Sequence, residues 1–458
     1  MRKYLLPVLL ICSLPASAQQ LENDSLKLRQ LATEVLTNSK AYEELRVLTQ
    51  TVGGRLAGSP QMVKAEQWGA KTLKESGADT VYLQECKVPH WVRGAKEEVR
   101  IISRRRDFIP PLNVLALGNS VASAPGGITA PIIEIATFDE LEAKKDKIKG
   151  KIVFYNHPFN PAFVRTFDSY AEAVRYRGQG ASRAAKYGAV GIILRSMTHG
   201  ANNFPHTGAM AYNDSFPKIP AVAVGLQDAE LLSSRLKGEP DLKLYLRTSC
   251  HMLPDTIGHN VIGEIRGTEH PEEIITIGGH LDSWDVNEGA HDDGTGCVQS
   301  IEVLRAFKAL GIRPKRTIRI VLFANEENGS RGGKKYGELA KAAHEQHIFA
   351  LESDAGGFTP RGFSFEMSAE KRAKIKSWAP LFLPYDIYEF DAVGGGVDVG
   401  ELSAATGCPM GELFPDSQRY FDLHHAVNDV FAAVNKRELE LGAFSMAALI
   451  YLVDEYGL

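Results

Sequence analysis

Cysteine is scarce, with five in 458 residues and no CxxC pair, which argues against both a disulfide framework and a closed cysteine zinc site. Cys12 falls in the amino-terminal apolar run. Cys297 lies on a helical pattern where a buried thiol is the ordinary explanation, and no bridge is expected among Cys86, Cys250, Cys297 and Cys408. An excess of one charge is also missing. The formal net charge is -4, and basic tracts are short and solvated, as at 144–151, so nucleic acid is not an expected partner. Long apolar runs are lacking too. The run 5–14 covers about ten residues, too few to cross ~30 Å of hydrocarbon. Preceded by Arg2 and Lys3 and followed by Ala16-Ser17-Ala18, it reads as a secretory signal peptide over 1–18. The expectation is therefore an exported protein, periplasmic or secreted, without a membrane span.

The remainder is 44% hydrophobic and 24% charged, which is ordinary globular composition with room for about two to three domains. Helical apolar spacing covers 25–36, 42–51 and 61–75, and strand-like runs follow at 80–88, 99–103 and 113–117. Residues 120–127, rich in Ser, Ala, Pro and Gly, suit a boundary. Beyond them the texture changes to short β-runs at 128–135, 151–155, 190–195, 219–224 and 242–246, with a helix-like piece at 180–187. The strands Gly150-Lys151-Ile152-Val153 and 189–194 (AVGIIL) resemble the protease-associated domain inserted into several secreted peptidases. A module of that kind shapes access to a site or mediates contacts and carries no chemistry itself.

The chemistry gathers at the ends of three apolar runs that read as buried strands. Run 273–279 delivers His280, Asp282 and then His291-Asp292-Asp293-Gly294. Run 317–324 ends in Asn325-Glu326-Glu327-Asn328-Gly329. Run 348–351 leads into Glu352-Ser353-Asp354. In an open α/β sheet the ligand crevice lies beyond the carboxyl ends of the strands, so these side chains can converge. Imidazole with carboxylates suits zinc. A bridging carboxylate is what two metals roughly 3.5–4 Å apart require, and Asp292 sits in a glycine-rich turn able to bring it between them. Glu326 and Glu327 are adjacent at a strand end, so their side chains diverge, and one can bind metal while the other faces a water. A helix with Val298, Ile301, Leu304, Phe307 and Leu310 on one face follows, and a long apolar-faced helix at 439–456 closes the chain.

The strings GGHLDSWD-x5-HDDGTG, NEENGSRGG and ESDAGG, with a late His-His-x3-Asp, resemble the co-catalytic dinuclear zinc exopeptidases. The resemblance runs from about residue 25 to the end. It implies an α/β fold with a mixed central sheet flanked by helices and an inserted β-rich protease-associated domain. The domains would be a catalytic one over 19–126 and 249–458 and an insert over 127–248. By that pattern two zinc ions bind each chain, one at His280 and Asp354, the other at Glu327 and His425, with Asp292 bridging and Glu326 as general base. Asp282 would accept the spare ring proton of His280, and the Asp292–Asp293 peptide would be cis. Asp429, four residues on, selects His425 over His424. His424 or Tyr420 is a candidate to polarise the scissile carbonyl, and Asp398, in Gly394-Gly395-Gly396-Val397-Asp398, is a candidate pocket residue. His90, His206, His259 and His291 read as structural, and Trp284 and Asp285 as turn packing. The implied activity is removal of single amino acids from dipeptides and short peptides, with carboxypeptidase polarity preferred. A zinc aminopeptidase of the same fold is the alternative and a metal-free receptor-like binding module a remoter one. Members often dimerise, so a homodimer is a permitted assembly.

Overall fold

The computed structural model describes residues 16–104 and 109–458, and side chains from Gln20 onward within the first helix. Most of the expected signal peptide, 1–15, lies outside the described residues. Among the described residues no helix is long and apolar enough to cross a membrane.

Among the described residues, fifteen strands form two sheets. In chain order they are β1 (Thr80–Val92), β2 (Glu98–Ile102), β3 (Val114–Ala116), β4 (Ile128–Ile135), β5 (Ile152–Tyr155), β6 (Gly191–Arg195), β7 (Ala221–Val224), β8 (Lys243–Arg247), β9 (His251–Ile265), β10 (His270–His280), β11 (Arg316–Phe323), β12 (Gln346–Glu352), β13 (Pro360–Glu366), β14 (Glu389–Val393) and β15 (Met410–Pro415). The first sheet has eight strands in the order β1-β9-β11-β10-β12-β15-β13-β14 and the second has seven, β2-β8-β4-β5-β6-β7-β3. In the first, β11, β10, β12 and β15 run parallel, while β9 and β13 pair antiparallel on either side. This is the mixed α/β sheet expected.

The central strands are buried almost throughout, β11 at every residue after Arg316, because helices cover both faces, which is why they read as unbroken apolar runs. Helices Thr295–Ala309 and Lys436–Tyr456 pack on one face through Ile301, Leu304, Phe307 and Leu449. Helices Arg331–Ala342 and Val397–Thr406 cover part of the other through Tyr336, Val399 and Leu402. Parallel alignment brings the carboxyl ends of β10, β11, β12 and β15 to one edge. That edge carries the candidate site.

The boundary expected at 126/127 falls inside the second sheet. β2 pairs with β8 and β3 with β7, so the chain leaves the first sheet after Val92 and rejoins it at His251, where those two residues face each other in register. The polar stretch 120–127 is a loop of the second sheet, held where Trp91 Nε1 donates to the Ser120 carbonyl at 2.9 Å and Ala221 N to Ser120 Oγ at 2.9 Å. Composition marks an exposed loop without saying which sheet owns it. The helix expected at 180–187 spans Thr166–Ala185. The cysteines Cys86, Cys250, Cys297 and Cys408 are buried and free.

Candidate metal centre

His280 is the last residue of β10. Its Nδ1 lies 2.9 Å from the main-chain carbonyl of Asp282, which makes Nδ1 the protonated nitrogen and leaves the lone pair on Nε2. Nε2 is 3.2 Å from Asp292 Oδ1 and 3.3 Å from Asp354 Oδ1. On the other side of Asp292, His425 Nε2 lies 3.2 Å from Oδ2 and 3.1 Å from Glu327 Oε2. The two oxygens of Asp292 thus face two separate histidine–carboxylate pairs. All five side chains proposed as ligands stand together.

The turn presenting Asp292 is built from elsewhere in the chain. Asp429 accepts the main-chain N–H of His291 at 2.8 Å and of Asp292 at 3.2 Å. The fully buried Arg55 donates to the carbonyls of Glu288 and Gly289 at 2.8 and 2.9 Å. Asp293 accepts from His280 N at 3.1 Å and Gly296 N at 2.9 Å, tying the strand end to the next helix. A Cβ on Gly296 would come within 1.8 Å of the Ser353 carbonyl, so only glycine lets this helix approach the end of β12. The Asp292–Asp293 peptide is cis.

Several buried oxygens here have no hydrogen-bond donor among the described residues: Asp292 Oδ2, both of Glu327 and Asp354 Oδ1. Buried acceptors facing one another repel unless positive charge lies between them. Against the pull of burial, Asp354 and Asp292 hold the His280 imidazole well above its ordinary pKa. Glu327 and Asp292 likewise raise His425 to about 9 despite its burial. Carboxylates that draw charge so strongly onto imidazoles make the demand a divalent cation meets, and the donor set of imidazole nitrogen and carboxylate oxygen fits zinc.

Glu326, half-buried, lines the cleft next to this cluster. Burial pushes its carboxyl well above the ordinary range; Asp354 and Glu327 add to the shift and His280 opposes it. Asp282 holds the Glu326 main chain, accepting its N–H on Oδ1 at 3.0 Å. The carboxylate expected to take the ring proton of His280 lies 3.8 Å from Nδ1. The nearer acceptor is the same residue's carbonyl, so Asp282 orients both His280 and Glu326, by different atoms. His424 and Tyr420 line the cleft, with the His424 ring stacked on that of His425 at 3.5 Å. Asp398 is fully buried and does not line it, although Gly395, Gly396 and Val397 do. Its carboxyl packs against Gly333, where a Cβ would come within 2.5 Å of Asp398 Oδ1. It is a packing residue behind the site rather than a pocket wall.

The sequence reading missed the residues contributed by the second sheet and by β15. Phe167, Tyr170 and Arg177, on helix Thr166–Ala185, and Glu412, on β15, all line the same cleft of about 510 Å³. The burial of Ala173, Gly180, Ala181 and Ala184 on the same helix stripe, a fact of the structure, is what sets Arg177 apart from a solvated arginine.

The model of peptidase family M28 matches residues 260–441, the segment from β9 through His425. Carboxypeptidase Q of Mus musculus is 37% identical over 417 residues, covering 91% of this chain and 86% of the relative. The crystal structure of a peptidase M28 precursor from Shewanella amazonensis SB2B superposes with a TM-score of 0.89 at 33% identity, covering 95% of this chain and 97% of that one. A zinc aminopeptidase from Bacillus subtilis shares the fold, with a TM-score of 0.65 at 18% identity, over 90% of this chain and 94% of its own. With relatives of 33–37% identity matched over more than nine-tenths of its length, the chain belongs to peptidase family M28 and is a zinc metallopeptidase of the exopeptidase type.

Proposed function

We propose that the chain is an exported dinuclear zinc exopeptidase that releases single amino acids from dipeptides and short peptides. The observation that carries the reading is the division of Asp292, whose Oδ1 faces His280 and whose Oδ2 faces His425. In this reading His280 and Asp354 hold one ion, His425 and Glu327 the other, and Asp292 is shared. Zinc bound there lowers the pKa of water and polarises a carbonyl. Glu326, unencumbered by a ligand role, accepts the proton of the attacking water and returns it to the departing amine. His424 and Tyr420 stand where a hydrogen bond to the carbonyl oxygen is within reach of the cleft. Export rests on the leader pattern of Arg2, Lys3 and Ala16-Ser17-Ala18.

The test is Glu326→Gln. Elemental analysis should find two zinc ions per chain, as in the unaltered protein, while dipeptide turnover falls by roughly 10²–10⁴. Near-normal turnover would refute the base assignment. Carboxypeptidase polarity is favoured by the similarity to carboxypeptidase Q. The aminopeptidase alternative draws support from Glu412, an acidic side chain in the cleft.

A further inference from the structure

Besides Glu326, two charged side chains, Arg177 and Glu412, line the cleft without belonging to the metal cluster. Arg177 comes from helix Thr166–Ala185, which packs on the second sheet, and is only 7% exposed. Its Nε donates to the Ala209 carbonyl at 3.2 Å, its Nη2 to the Tyr170 hydroxyl at 2.5 Å, and its Nη1 lies 3.3 Å from His425 Nδ1. All three partners are neutral groups when His425 offers Nε2 to a metal. In that tautomer Nδ1 carries a proton directed at the Thr207 carbonyl, 3.4 Å away, and cannot also accept from Arg177. The Nη1 donors are then free toward the cleft. A buried guanidinium without a counter-ion is costly, and its planar fork matches a carboxylate. The backbone makes room for it at Gly208, with φ +129, where a Cβ would lie 2.4 Å from Arg177 Nη1 and 2.6 Å from His425 Nδ1.

Glu412 stands on the opposite flank. It pairs in register with Glu352 on β12, the strand that ends just before Asp354, and it borders both the cleft and an adjoining side pocket of about 200 Å³. No ion pair engages it among the described residues. The side pocket is walled by Ala355, Val393, Leu413 and Phe414, a surface for an apolar side chain. Along the cleft a cation therefore adjoins His425, a carboxylate adjoins Asp354, and Asp292 lies between. An extended dipeptide spans about 7 Å, a length that a cleft of about 510 Å³ accommodates.

We propose that the cleft reads both charged ends of a free dipeptide, Arg177 binding the α-carboxylate on the His425 flank and Glu412 the α-ammonium on the Asp354 flank. The inserted sheet then supplies half of the substrate's recognition. This rests on the exopeptidase reading and deepens it, because it names the two side chains that set how a substrate's charged ends are held.

Binding calorimetry on the zinc-loaded full chain carrying Glu326→Gln separates recognition from turnover, with alanyl-leucine, its carboxyl amide and its N-acetyl derivative as probes. Each blocked probe should bind roughly 30-fold or more weakly than the free dipeptide. Adding Arg177→Gln should erase the difference between acid and amide while leaving the penalty for acetylation. Glu412→Gln should do the reverse, and Arg177→Lys should recover part of the carboxylate preference. Arg177→Gln weakening acid and amide alike would mean that it acts only through His425 and would overturn the proposal. So would Glu412→Gln leaving discrimination against the acetylated probe intact, or alanyl-leucine failing to bind. If the unaltered enzyme cleaves no peptide, the hydrolytic reading fails, while the binding ratios still judge the roles of Arg177 and Glu412.

Discussion

Asp292 is the residue on which the site turns, because it alone faces both histidines, at 3.2 Å on either side. Asp292→Ala is expected to lower zinc content below that of the unaltered chain by elemental analysis. Retention of two ions would remove its bridging role. Residues of this kind are legible in a sequence because each sits directly after a buried apolar run or in a glycine turn, where a charged side chain has no ordinary structural duty. Asp398 misled for a related reason: three glycines precede it, but helix Val397–Thr406 turns its carboxyl inward against Gly333. Arg177 and Glu412 were hidden because an arginine on a helix and a glutamate on a strand read as solvated faces unless the burial of their neighbours is known.

Among the elements, the short helix Ala41–Val47 rests on helix Thr295–Ala309 and carries an acid into a poor place. Glu44 Oε2 is buried without a hydrogen-bond donor among the described residues. Burial, with Glu302 adding to it, raises Glu44 from 4.5 to about 7. Its folded-state pKa exceeds the unfolded one, so the folded chain binds the extra proton. The associated stability is complete below pH 4.5 and lost as pH rises through about 7. Glu44→Gln should therefore raise the melting temperature at pH 8, by an amount on the order of 2 kcal/mol in unfolding free energy, and change little near pH 4.5. A variant less stable than the parent at pH 8 would contradict this account. Elements were legible where they follow one rule for their whole length, as β10 and β11 do. Helix Thr166–Ala185 was seen only in its last turns, because its first half exposes Phe167 to the cleft and buries Thr166 and Ser169, which breaks the apolar stripe. Strand β14 has five residues and forms the sheet edge, where weak patterning suffices.

For the molecule as a whole, cations would offset the repulsion among Asp292, Glu326, Glu327 and Asp354, which follow the ends of β10, β11 and β12, with both glutamates after β11. Removing metal with a chelator should lower the melting temperature by at least roughly 5 °C, restored by added zinc, since a ligand bound only to the folded state stabilises it. An unchanged transition would show that the cluster bears no such load. The α/β class was legible, and the change of texture along the chain marked the region that forms the second sheet. Its true limits were not legible, because strand pairing between 98–102 and 243–247 is a long-range fact that local composition does not record.

Val92 and His251 face each other across one rung between β1 and β9. An excursion that departs and returns at adjacent points leaves the host ladder unbroken, and the entropy of closing it grows only slowly with its length. The site where such a graft attaches can thus tolerate large changes in what is grafted. A chain built on this sheet can vary what lies between those two points while the strand ends that carry the candidate site stay as they are.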